Sequence, residues 1–200
     1  MVGDDRGQAF TLEAVTAAIV LLVAVGFALQ MTAVTPLSAS TSSQHLENQL
    51  QSTGEGLLAS PDESGELKEA VLYWDHVEKE FHNSGEVEAY YLGQSPDNDF
   101  GDVVDEVLGE RNIAYNIYVH FQDEDGNVET QQMVGQGQPS DHAVSASRTV
   151  ELTKDDRLVE EDGSPGKKLR NLSGDEFYVE ENSGDLHYNL VRVEVVAWRI

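Results

Sequence analysis

The longest apolar run of the chain, residues 17–29, contains no polar side chain. With residues 10–16 before it and 30–34 after it, the run extends to about 25 residues, where about 20 suffice to cross a bilayer as a helix. A transmembrane helix is therefore expected over residues 8–34. Pro36 lacks the backbone N–H that a helix interior needs, which predicts a kink or a new start there. Residues 37–59 are rich in Ser, Thr and Gln, with Leu37, Leu46, Leu50, Leu57 and Leu58 among them. That spacing fits a narrow helical stripe, so residues 35–59 are expected as a spine extension or a stalk.

From residue 60 the pattern changes to that of a folded head, expected over residues 60–200. Ser60-Pro61-Asp62-Glu63 combines an N-cap serine, a first-turn proline and a glutamate at the third position, the signature of a helix start. Leu67, Ala70, Val71, Trp74, Val77 and Phe81 then recur at helical spacing and predict one buried face, with the helix ending near residues 82–85. A second short helix is expected over residues 100–108, with Val103, Val104, Val107 and Leu108 inward and Gly109 past its end.

At Ile113 the period shortens to two: Ile113, Tyr115, Ile117, Val119 and Phe121 point one way, Asn116, Tyr118 and His120 the other. Residues 123–127 form a turn into a second strand over 128–134; Val144, Ala146, Val150 and Leu152 mark a third. Residues 188–198 make a fourth, and residues 177–179 a short edge. The expected fold class is α+β: a long N-terminal transmembrane or spine helix, then two short helices and an antiparallel sheet of four to five strands.

Charge changes the picture more than length does. Of 200 residues, 37 are acidic and 12 basic, a net charge of -25. No basic stripe exists to displace counterions from phosphate, so nucleic acid is excluded as a partner. With 40 % apolar residues and clear strand periodicity the chain is not a disordered polyanion. The charge reads as adaptation to concentrated salt, where self-repulsion is screened over about 3 Å at molar ionic strength. Cysteine is absent, which rules out disulfides and thiolate metal sites.

Glu13 is the odd residue of the apolar segment, since a plain anchor gains nothing from a carboxylate there. A cleaved secretory signal fits poorly: Arg6 stands against Asp4 and Asp5, and Ser38-Ala39-Ser40 is a weak cleavage site. Arg6-Gly7-Gln8 followed by the apolar helix resembles the class III signal of archaeal type IV pilins. The start Gly7-Gln8-Ala9-Phe10-Thr11-Leu12-Glu13 and the later Thr35-Pro36-Leu37-Ser38-Ala39-Ser40 resemble haloarchaeal pilin-like surface proteins.

The resemblance implies a leader of residues 1–7, cut by a prepilin peptidase between Gly7 and Gln8, and an apolar helix kept on the mature protein. It implies that Glu13 pairs with the terminal amine of a neighbouring pilin-like subunit during assembly; here Glu13 becomes the sixth residue, one later than the usual fifth. The partners are then membrane lipid and other subunits through the N-terminal helix, with no cofactor. The N-terminus is cytoplasmic and the head extracytoplasmic, an orientation that Arg6 supports. The alternative is a single-span anchored binding domain that does not polymerise.

Other candidate chemistry is sparse. Asn171-Leu172-Ser173 is a glycosylation sequon in a polar loop. The acidic residues of 123–129 lack EF-hand spacing and read as a hairpin turn, and residues 155–162 read as a solvated loop. The six histidines show no metal-ligand spacing and are expected at the surface or at edges. Tyr90 and Tyr91 are an adhesive pair or packing under a loop. No hydrolase, P-loop or dinucleotide motif is present, so the chain is not read as an enzyme.

The charge predicts salt dependence. Protein prepared in about 2 M KCl and dialysed to about 0.1 M should lose circular-dichroism structure as the Debye length lengthens. Equal stability in both would refute the high-salt reading.

Overall fold

The computed structural model describes residues 4–85, 89–182 and 186–199, with side chains described from residue 11 to 28 and from 44 onward within those spans. The chain forms two compact units, Met1–Leu46 and Glu47–Ile200. Helix α1 (Asp4–Ser64) supplies the first unit and its last turns belong to the second. There follow α2 (Glu66–Leu72), a hairpin of β1 (Trp74–Asp75) and β2 (Glu80–Phe81), strand β3 (Tyr91–Leu92) and α3 (Asp99–Val107). Then come β4 (Ile113–Gln122), β5 (Val128–Gly135), β6 (Val144–Thr153), a second hairpin of β7 (Arg157–Val159) and β8 (Pro165–Lys168), and β9 (His187–Arg199).

The α+β class is as expected, but the sheet is mixed rather than antiparallel. Its order is β3-β5-β4-β9-β6, and β3 runs parallel to β5. The alternation of β4 does what its period requires: Ile113, Tyr115, Ile117, Val119 and Phe121 are buried. On β9 the matching row is Val191, Val193, Val195 and Ala197, and on β6 it is Ala146, Val150 and Leu152. Leu50, Leu57 and Leu58 of α1 join the same core. Gly54 lets this helix come close, since a Cβ added there would stand 3.0 Å from the Cβ of Ala146.

Three expectations about helix ends are corrected. Helical structure continues through Pro36 and Pro61, so Ser60 does not begin a helix. The break falls at Gly65, whose φ of 93° is a left-handed conformation that glycine adopts without steric penalty. The next helix, α2, stops at Leu72 instead of reaching residues 82–85. Asp75 accepts hydrogen bonds from the N–H groups of Val77 and Glu78 at 2.7 and 3.0 Å and turns the chain into the β1–β2 hairpin. Trp74 and Phe81 are buried as that hairpin's edge-to-face pair, with centroids 5.1 Å apart, while Val77 sits at the turn, 71 % exposed.

Residues 177–179 are not a strand. Side chains do there what a ladder would have done: Trp74 Nε1 donates to Glu176 O, Tyr188 Oη to Val179 O and Asn189 Nδ2 to Glu180 O, at 2.7–3.1 Å. The run 155–162 is likewise no simple loop. Leu158 of β7 is buried, and Asp155 and Asp156 pair with Lys168, Arg170 and Lys68. A buried leucine contributes about 1.5–3 kcal/mol and an exposed ion pair about 0–1 kcal/mol. The apolar core therefore holds the head, and the ion pairs trim its loops.

Two measurements check this packing. A Cβ on Gly101 would stand 1.8 Å from the carbonyl oxygen of Pro96, whereas one on Gly56 meets nothing within 4 Å. Gly101→Ala should cost about 1–3 kcal/mol in denaturant unfolding, and Gly56→Ala should add about 0.5–1 kcal/mol.

Burial raises the phenol pKa of Tyr91 and Tyr115, and burial with Glu181 and Glu180 nearby pushes that of Tyr188 to about 12 from 10.0. Because the folded value lies above the unfolded one, stability is intact below pH 10 and is lost as pH climbs from 10 towards 12. The ring signals of Tyr91, Tyr115 and Tyr188 should therefore show phenolate formation only together with unfolding, and ionisation of these three in a still-folded protein near pH 10 would contradict the assignment.

Candidate functional site

Thr11–Ala28 of α1 is long and apolar enough to cross a membrane, with a mean hydropathy of 2.2. Its side chains are exposed throughout, including Leu12, Val15, Ile19, Leu22 and Phe27. Among the described residues nothing of the first unit covers them. Glu13 lies in this stretch at one end, and with Thr16, Ala17, Val20, Leu21 and Ala24 it lines a shallow groove along a single helix face. The spacings of three, four, seven, eight and eleven from Glu13 are those of one helical face. Three of these side chains are small, which lets a second helix approach closely.

Thr16 shows how this face treats polar groups. Its hydroxyl lies 2.9 Å from the carbonyl oxygens of Leu12 and of Glu13, so the helix satisfies it internally. The Glu13 carboxylate is different in kind, because the N–H groups of a helix interior are already engaged and offer it no free donor. A side chain of this chemistry in lipid requires a donor from elsewhere. Gly7 and Gln8 fall inside α1, and the side chain of Gln8 lies outside the described residues.

The remaining sequence candidates separate in space. Asn171 ends a short 3-10 turn (Leu169–Asn171) and is exposed. Ser173 of the same sequon caps the next turn, where its side chain and that of Glu176 bond reciprocally to the backbone. Residues 123–127 form the β4–β5 turn, in which Asp123 accepts from Asn127 N and Nδ2 at 2.7 and 2.8 Å. Among the described residues no three His, Asp or Glu side chains form a metal-ligand group.

The histidines do not all lie at the surface. His82 is buried at 9 % exposure, and His120 is half-buried between Thr130 and Glu194, with its ring nitrogens 2.8 and 2.9 Å from them. Tyr91 is part of the core, its hydroxyl donating to the carbonyl oxygen of His82 at 2.5 Å. No spacing in the sequence signalled His82. It is placed by the β1–β2 hairpin, which the helical periodicity concealed.

A family model matches residues 6–197, the family of unknown function DUF7288. The chain belongs to that family. The match takes in Glu13, the apolar helix and the strands of the sheet, β9 as far as residue 197. No curated protein and no solved structure matches this DUF7288 chain.

Proposed function

We propose that the chain is a pilin-like structural subunit of an archaeal type IV filament or of its assembly base. It acts by assembly and not by catalysis. The observation that carries the reading is Glu13, a carboxylate on the small-residue face of an apolar, fully exposed helical stretch. A charge at the centre of a span costs about 2.5–3.5 kcal/mol, less near an end. A cationic group from another chain offsets that cost and turns the carboxylate from a liability into a docking determinant.

In this reading a prepilin peptidase cuts after Gly7, and Gln8 becomes the first residue. The helix then leaves lipid by packing on sister helices, with Glu13 facing a neighbour's terminal amine. The packing of the end of α1 on the sheet supports the same reading, because it makes the helix both anchor and backbone of the head. The acidic head faces brine outside the cell, and exposed Asn171 is its glycan acceptor.

Mass spectrometry of the native protein should find Gln8 at the N-terminus; an intact Met1 or Val2 would favour a single-span binding domain that never polymerises. Glu13→Lys should leave membrane insertion intact and reduce recovery in sheared surface filaments by about tenfold or more, the loss of one buried ionic contact. Unchanged recovery of the variant would reject the role of Glu13.

A further inference from the structure

Strand β6 forms one edge of the five-stranded sheet and is ten residues long. The opposite edge, β3, has two residues and offers another strand almost nothing to pair with. On one side β6 runs along β9 from Val144 to Thr153. On the other, no main-chain group of residues 144–152 meets a hydrogen-bond partner among the described residues.

A row of N–H and C=O groups left open in this way is a template for a further strand, and proteins ordinarily guard such an edge. Along this stretch β6 lacks the usual guards. It has no proline, glycine or lysine, and its register irregularity falls at the far end, between Leu152 and Thr153. The inward-facing charge, Arg148, is engaged by Asp62 of α1 at 2.8 Å. Helix α1 meets the strand on that inward face, with Gly54 against Ala146, and forms no main-chain hydrogen bond with it.

Charge decides what can dock there. With a net charge of -25, two copies of the chain repel over most of their surface. Strand β6 is neutral: Arg148 offsets Glu151, and Ser145, Ser147 and Thr149 are exposed. The outward positions of β9 that pair with Thr149 and Ser147 are Arg192 and Glu194, which balance as well. At this edge a second copy approaches without facing an excess of carboxylates.

The strand is also complementary to itself. Antiparallel pairing of two β6 strands about a two-fold axis at Thr149 sets Thr149 opposite Thr149, Ser147 opposite Glu151 and Ala146 opposite Leu152. No like charges meet, and the hydroxyls face hydrogen-bonding partners. An axis at Arg148 would oppose two guanidinium groups, and one at Val150 would shorten the regular ladder to residues 148–152. We propose that the β6 edge is a self-association surface, on which a second copy of this chain adds its own β6 antiparallel and joins two five-stranded sheets into one. The contact belongs to the head and is independent of Glu13 and of packing between apolar helices.

The absence of native cysteine allows a direct test. Thr149→Cys and Thr130→Cys each place a thiol at an exposed position of one cross-strand row, Thr149 at the edge and Thr130 on β5. In full-length protein in non-ionic detergent at about 2 M KCl, mild oxidation should link Thr149→Cys into a disulfide dimer about tenfold or more faster than Thr130→Cys, because residues directly opposite across an antiparallel pair come within disulfide reach. Both variants are also made with Glu13→Lys, which removes the helix contact and should leave the cross-link in place. In that background light scattering should show Thr149→Glu weakening the dimer by about tenfold or more, since it sets two carboxylates against each other at the axis. Thr130→Glu adds the same charge away from the edge and should change the affinity by less than about twofold. Equal cross-linking at the two positions, a monomeric Glu13→Lys protein, or a dimer indifferent to Thr149→Glu would overturn the proposal.

Discussion

The head depends on one contact: the end of α1 laid on the buried face of the sheet. In a chain with net charge -25 and no cysteine, neither surface attraction nor covalent cross-links can hold the parts together. Cohesion has to come from apolar burial, and Leu50, Leu57 and Leu58 of the helix share one core with the inward rows of β4, β6 and β9. The close approach at Gly54 and Ala146 seats the helix on the edge strand.

The scarce cations are distributed accordingly. All five lysines are in ion pairs, Lys68 with Asp156, Lys79 with Asp175, Lys154 with Glu181, Lys167 with Glu176 and Lys168 with Asp155. Each pair has at least one member in the stretch from residue 154 to 181, where regular structure is thinnest. Individually such exposed pairs are weak. Placed together they oppose the repulsion of a segment crowded with carboxylates, which the buried side chains Leu158, Leu169 and Phe177 then anchor to the core.

What the sequence made legible follows from the range of the signal. The long strands β4, β6 and β9 and the helix α3 carry their pattern within ten or so residues, and they lie where periodicity puts them. Trp74 and Phe81 were recognisably core residues, yet their spacing of seven suited a helix as well as a hairpin, and the carboxylate of Asp75 decided for the hairpin. Strand β3 is two residues long and exists through its pairing with β5 forty residues later, information that no local window contains. The unusual position of Glu13 was plain from composition, whereas the burial of His82 follows from the β1–β2 hairpin, which no local window reveals.

The strand order has a bearing on biogenesis. Strand β9, the farthest along the chain, lies between β4 and β6 and pairs with both. During synthesis the two halves of the sheet must wait, unjoined, while the 33 residues between Thr153 and His187 emerge ahead of the strand that will link them. The apolar N-terminal helix is complete long before the domain behind it can close. Order of emergence thus leaves the sheet open until its keystone strand arrives.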